Sequence, residues 1–499
     1  MERQTLRPVR LVLTAAAAVA ALGIIFSAAA AHRTAGKKPV FASVVTLTDG
    51  KGHPATGGEP SIAADVSTKS GVHNLYIVSP NQHALWSSYD SGKHWSAPVV
   101  FDQNGPSAGG DTDVAVSQTG HVIVTDLDVS HAWVQVSTDH GKTFNTGIAT
   151  APEDDRPWLT TDGANNVYVS YHDFVGEIPI ICASTDGGMT FPSCTQTFSD
   201  PTSSSQCAEN TVPARGMTVD PTDGSLNFMY SCATTAENAA QPPYGPLHDY
   251  YLAKGTPTLL GGVTYQTYPI FQASTSNGKA PNFANIFGTF HIDSEGNYYA
   301  IFAGTFNHNN IKANPYHIYL VTSTNHGKTW SKPKQIDHGV GTNVLADFAV
   351  TRKGDVDVVW YHSPAVGDSN GVCGDTASQS PCPNDPFYTT TAGKGPGWRV
   401  YMAQTDSALT DKPKWTQVVV NPHVTHYGEI CTNGIVCGSS DRSLLDFISV
   451  AVDCKGSAHI TYAANPNEAK GQAAYLQISN QTGGHRLAPP KSCAGQKVG

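Results

Sequence analysis

The chain has 499 residues and a formal net charge of −10; only 14% of its residues are charged, against roughly 25% in an average soluble domain. That balance excludes a disordered polyelectrolyte and a coiled coil, and the acidic sign argues against nucleic acid as a partner. The 47 Gly and 32 Pro follow no three-residue period, which excludes collagen and indicates a chain dense in turns.

Arg3, Arg7 and Arg10 precede an apolar run from Leu11 to Ala31. A basic start followed by an apolar run that ends in small residues reads as an export signal over 1–31, with Ala28 to Ala31 suited to a signal peptidase. Left uncut, the same run is long enough to span a bilayer. The expectation is a secreted or extracytoplasmic protein, a monomer, that touches a membrane only if this segment is retained. Removing 1–31 moves the formal charge from −10 to −12. Residues 32–40 read as a linker, 41–480 as the folded body and 481–499 as a C-terminal tail tied by Cys493.

Internal repetition is the strongest signal in the body. One pattern occurs four times: Ser88-Tyr-Asp90-Ser-Gly92-Lys-His-Trp95, Ser137-Thr-Asp139-His-Gly141-Lys-Thr-Phe144, Ser184-Thr-Asp186-Gly-Gly188-Met-Thr-Phe191 and Ser323-Thr-Asn325-His-Gly327-Lys-Thr-Trp330. It predicts a hairpin turn in which Asp90, Asp139, Asp186 or Asn325 accepts backbone N–H bonds, Gly takes a positive φ and the aromatic returns to the core. A broader pattern, an apolar strand, a turn and an alternating strand, occurs seven times: Ser61 to Ser79, Asp113 to Asp126, Trp158 to His172, Met217 to Ser231, Thr289 to Ala303, Ala346 to His362 and Phe447 to Ala463. In Asn166-Val-Tyr-Val-Ser-Tyr171 both strand faces are fairly apolar, as expected where sheets pack on both sides. These units predict an all-β propeller of four-stranded antiparallel blades, seven in number, with six as the alternative. The segment Phe41 to Leu47 lies before the first unit and is predicted to complete the last blade, which closes the ring and removes a sheet edge.

All ten cysteines follow the signal, and in an exported chain disulfides are the default. Proximity in sequence suggests Cys182–Cys194, Cys207–Cys232, Cys373–Cys382, Cys431–Cys437 and Cys454–Cys493, although spacing does not prove connectivity. No CxxC with a matching His pair points to zinc, and no metal or cofactor is expected.

In a propeller the residues that lead into each first strand converge at one end. Here they include Glu59, Asp111, Asp113, Asp155, Arg156, Arg215, Asp347, Asp441, Arg442 and Asp446, and the loops that reach the same end add His172 and Asp173. Beyond Arg33 only six arginines occur, three of them in this set. Planar guanidinium groups suit a carboxylate or phosphate, so Arg156, Arg215 and Arg442 are candidates for an anion pocket, with pairing to neighbouring acids as the structural alternative.

The four repeated turns resemble the Asp-box repeats of the sialidase superfamily, and Gly58-Glu-Pro-Ser-Ile-Ala63 and Asp155-Arg-Pro-Trp158 resemble segments of bacterial exported sialidase-like proteins. The resemblance implies an exo-α-sialidase-like glycoside hydrolase acting on terminal acidic sugars. By that analogy Arg156, Arg215 and Arg442 grip the sugar carboxylate, Asp111 or Asp113 is the acid/base, and Tyr427 with Glu429 is the nucleophile and its support. The Arg-Ile-Pro motif of sialidases is absent, since no Arg lies between Arg33 and Arg156. The alternative is a non-catalytic propeller that binds a cell-surface glycan or protein, because this fold serves both uses.

Overall fold

A computed structural model describes residues 37–493 apart from 67–72, 102–109, 128–130, 153, 174–178, 197–210, 233–248, 258–262, 274–280, 284–287, 374–379, 382, 390–393, 435–436, 438–439 and 468–471. The export segment 1–31 therefore lies outside the described residues, as do Cys207 and Cys382. Seven antiparallel sheets form a seven-bladed propeller, which decides against six. The first strands, in blade order, are Ser61–Ala64, Thr112–Val116, Asp154–Asp162, the split pair Thr211–Pro213 and Thr218–Val219, Thr289–Ile292, Thr342–Val350 and Ser449–Val452. Among the described residues no helix is long and apolar enough to cross a membrane.

The two N-terminal strands, Val40–Phe41 and Val45–Thr46, pair with the last strand, Tyr475–Gly483, and complete blade 7. A hydrophobic cluster fills each of the seven seams between neighbouring blades. Strand periodicity explains how one strand serves two seams. In Tyr298–Gly304, Tyr298, Ala300 and Phe302 pack toward blade 4, and Tyr299, Ile301 and Ala303 pack toward blade 6.

The repeated turns have the predicted geometry. Asp139 Oδ1 accepts the N–H groups of Lys142 and Thr143 at 3.0 and 2.9 Å, and Ser137 Oγ accepts that of Gly141 at 2.8 Å. The same pattern holds at Asp90 and Asp186, and Asn325 accepts from Thr329 N–H at 3.0 Å. Hydrogen bonds from the Thr190 and Ser184 hydroxyls help to hold Asp186 down at about 2. Gly141 has φ 81°, and a Cβ there would lie 2.7 Å from Leu85 Cδ2 of the preceding blade. Glycine is thus required both by the turn and by the approach of one blade to the next.

Three predicted disulfides are present, Cys182–Cys194, Cys431–Cys437 and Cys454–Cys493. The last anchors a tail that crosses the end opposite the first-strand starts. Leu487 N–H donates to Gly456 O, Arg352 Nε to Pro489 O at 2.7 Å and Lys491 Nζ to Ser294 O at 3.1 Å, so the tail ties blades 7, 6 and 5.

At the centre stands Arg215, 8% exposed. Its Nη1 donates to Asp347 Oδ2 of blade 6 at 3.0 Å and to Ile448 O of blade 7 at 3.4 Å. Its Nη2 donates to Ser61 Oγ of blade 1 at 2.7 Å and to Ser449 Oγ at 3.1 Å, with Asp113 Oδ1 of blade 2 at 3.5 Å. The guanidinium carbon lies 4.7 Å from the Phe447 ring and 5.8 Å from the Trp158 ring of blade 3. Arg215 belongs to blade 4, and its backbone exchanges hydrogen bonds with Gly288 and Phe290 at the start of blade 5. One residue thereby touches all seven blades. His291 adds no second cation beside it, because burial and the Arg215 charge push the imidazole down to about 4.

Removing one partner of a buried ion pair costs about 3–5 kcal/mol, since the other charge is left uncompensated. Arg215→Met is therefore expected to destabilise the propeller by about that amount, because it strands Asp113 and Asp347. Urea unfolding followed by tryptophan fluorescence measures it, and an unchanged midpoint would contradict the role given to Arg215.

Candidate functional site

The segments that lead into the first strands share a backbone device. Glu59, Arg156, Leu345 and Leu445, in blades 1, 3, 6 and 7, have φ of 49°, 58°, 52° and 60°. This left-handed conformation is strained for residues with a Cβ and persists only where the surroundings impose it. The residue two positions on is, in each case, a partner of Arg215: Ser61, Trp158, Asp347 and Phe447. The kink lets one short segment offer one side chain to the mouth and another to the axis below.

Six side chains meet at the mouth: Glu59 of blade 1, Asp111 of blade 2, Asp155 and Arg156 of blade 3, and Arg442 and Asp446 of blade 7. Arg442 Nη2 binds Asp446 Oδ2 in a short contact and lies 4.0 Å from Glu59 Oε1. Glu59 Oε1 also accepts the Asp446 N–H at 2.9 Å. Arg156 Nε is 3.7 Å from Asp155 Oδ2. Glu59 and Asp111 hydrogen bond carboxyl to carboxyl, which requires that the pair hold a proton. Burial, together with the charges of Asp111 and Asp446, drives Glu59 well above the usual carboxylate range, against the pull of Arg442. Burial and the Asp155 charge raise Asp111 to about 7, opposed by Arg156. Burial also raises Asp446, with Arg442 opposing.

The remaining predicted residues lie elsewhere or carry other bonds. Arg215, Asp113 and Asp347 form the axial network, and Asp113 also accepts Ser61 Oγ–H at 2.5 Å and Leu159 N–H at 3.0 Å. The three arginines thus divide, with Arg215 bound to its own acids and Arg156 and Arg442 at the mouth. Glu429 accepts the N–H groups of Thr389 and Asp441 at 3.3 and 3.1 Å, so its carboxylate shapes the loop before Arg442. Tyr427 sits half-buried in a two-residue strand, His426–Tyr427, paired with Gly397. His172 and Asp173 lie in the strand Asn166–Asp173, and their side chains fall outside the described residues.

Sequence reasoning missed the support of Arg442. His426 Nδ1 hydrogen bonds Asn465 Oδ1 at 2.5 Å, Asn465 Nδ2 donates to Ser443 Oγ at 2.5 Å, and Ser443 N–H donates to Asp441 Oδ1 at 2.8 Å. The Cys431–Cys437 disulfide lies in the same loop, where Cys431 N–H donates to Asp441 O at 2.8 Å. Only the cysteines of this arrangement had a sequence signal.

Of possible metal ligands, Asp220, Asp223 and His326 form the one cluster among the described residues. Lys254 Nζ already lies 2.7 Å from Asp223 Oδ2, and His326 Nδ1 lies 2.7 Å from Asp220 Oδ2. The acids there have partners of their own, and the mouth offers no comparable group among the described residues.

No protein-family model matches the sequence, and no curated protein does. Several solved structures are similar to it. A protein of unknown function from Dyadobacter fermentans DSM 18053 is 11% identical, with 90% of this chain and 99% of that one covered and a TM-score of 0.44. The GH93 α-L-arabinofuranosidase of Fusarium graminearum is 11% identical, with 88% and 97% covered and a TM-score of 0.42. A PL25 ulvan lyase is 12% identical, with 74% and 95% covered and a TM-score of 0.41. None of these likenesses bears on the chemistry of this chain.

The pH dependence of stability follows from Asp111. Its folded value of about 7 lies above its ordinary 3.8, so the folded protein keeps a proton that the unfolded chain releases as pH rises. The group favours folding fully below 3.8, and the advantage drains away toward about 7. Relative to Asp111→Asn, the natural protein is expected to lose stability across that window in denaturant titrations. Parallel curves for the two proteins would show that the acid pair does not hold the proton.

Proposed function

We propose that the chain is an exported glycoside hydrolase whose chemistry runs at the axial mouth. The carrying observation is the proton held between Glu59 and Asp111 beside the Arg442–Asp446 pair. Acid and base in one site need environments that set carboxyl groups apart, and glycoside hydrolysis uses such groups across the scissile bond.

In this reading Asp111 donates its proton to the glycosidic oxygen as the bond from that oxygen to the anomeric carbon breaks. Water adds to the anomeric carbon and yields a proton to Asp446. Glu59, the more strongly raised acid, returns a proton to Asp111 and is restored from solvent. Arg442 keeps Asp446 ionised until the transfer, and Arg156 opposes the build-up of negative charge beside Asp111. The repeated turns and the export segment support an Asp-box, sialidase-like ancestry outside the cytoplasm, and the three disulfides fit an oxidising compartment. The sialidase activity itself is not proposed, because Arg215 is bound to Asp113 and Asp347 and no first-blade arginine is present.

The second reading, a non-catalytic propeller that binds a cell-surface glycan or protein, is favoured by the burial of Glu59, Asp111 and Asp446. Aryl-glycoside hydrolysis separates the two. Asp111→Asn and Glu59→Gln are expected to lower kcat by about 10²–10⁴-fold while the far-UV spectrum is kept. Activity of the natural protein should fall as pH rises past about 7. A folded protein inactive on a panel of glycosides at every pH, yet able to bind glycans, would select the second reading.

A further inference from the structure

We propose that the Arg442–Asp446 pair recognises a hydroxyl group of a neutral sugar, so that the mouth takes a pentose or hexose rather than a uronic or sialic acid; this rests on the hydrolase reading above and names its substrate class. Arg442 Nε and Asp446 Oδ1 are both buried and have no hydrogen-bond partner among the described residues, and Asp446 is 3% exposed. Their neighbours on the same groups, Arg442 Nη2 and Asp446 Oδ2, bind each other. The pair therefore carries one unmatched donor and one unmatched acceptor, and buried charged groups left in that state favour any ligand that completes them.

The chemistry of the missing partner follows from the inventory of donors and acceptors. A sugar hydroxyl is donor and acceptor at once, so one hydroxyl, or two on adjacent carbons, satisfies Nε–H and Oδ1 together. A carboxylate, sulfate or phosphate offers acceptors only. It would satisfy Nε–H, leave Oδ1 unmatched and set a further negative charge among Asp111, Asp155 and Asp446. An anion pocket needs guanidinium in surplus, whereas here Arg156 faces Asp155 at 3.7 Å and Arg442 faces Asp446 and Glu59. Arg215 faces Asp113 and Asp347 at 3.5 and 3.0 Å. Charge balance and the two unmatched atoms are separate observations that select the same ligand class.

Calorimetric titration and product release test this on the whole chain, with three probes: a neutral arabino- or galacto-oligosaccharide, sialyllactose and an oligosaccharide ending in glucuronic acid. The neutral probe should bind, the two acidic probes should not, and Asp446→Asn and Arg442→Gln should each weaken the neutral probe on the order of ten- to a hundredfold. Two variants are used because Arg442 is the more exposed of the pair and its replacement disturbs folding less; thermal melts verify both. Neutral binding lost in the variants upholds the inference even if nothing is cleaved, an outcome that removes only the hydrolase reading. Cleavage confined to an acidic probe keeps the hydrolase reading and overturns the inference. Binding of no probe, or neutral binding unchanged in both variants, also overturns it.

Discussion

The structure depends on one buried cation at the axis. Seven sheets arranged radially leave a central space that their first strands must either fill or surrender to water, and most of those strands are short here. Arg215 fills it with a group that is planar, permanently charged and rich in directed donors. Two buried carboxylates, two serine hydroxyls, a carbonyl and two aromatic faces are arranged around it. Such a set is costly to assemble piecemeal and is stable only when complete. It therefore links the geometry of each blade to that of the others, and the mouth inherits its positions from the network beneath.

The architecture was legible in the sequence because a propeller writes itself repeatedly. Apolar residues on both strand faces, seven times over, and a turn that needs Asp or Asn, Gly and an aromatic in fixed order leave little freedom in how the chain is read. The N-terminal strand was legible for the complementary reason, since a last unit that lacks an outer strand needs one from elsewhere. Glu59, Asp111, Asp155, Arg156, Arg442 and Asp446 were found together by position alone, as residues preceding first strands.

The division between axis and mouth was not legible. Scarce arginines at equivalent places look alike in a sequence, yet Arg215 points to the axis and Arg156 and Arg442 to the mouth. What separates them is a two-residue offset from a left-handed residue, and a positive φ at Glu59 or Leu445 has no signature in residue type. Ser61 and Ser449 are likewise ordinary strand serines until the guanidinium reaches them. Tyr427 and Glu429 were drawn toward catalysis by proximity in sequence, whereas the Glu429 carboxylate is oriented by backbone N–H groups that no motif reports.

The joint in blade 7 has a consequence in time. Gln477 Nε2 meets Thr46 Oγ1 across 431 positions of sequence. A chain delivered N-terminus first must hold Val40–Phe41 and Val45–Thr46 without their partner until nearly all of the remainder has emerged. Contacts of such separation form late and slowly, so the circle shuts as a final event. During that interval the outer face of blade 7 is an open ladder of amide and carbonyl groups, and a second nascent chain could supply the same strand in trans. The arrangement that leaves the finished molecule without a seam thus makes its biogenesis sensitive to crowding by its own copies.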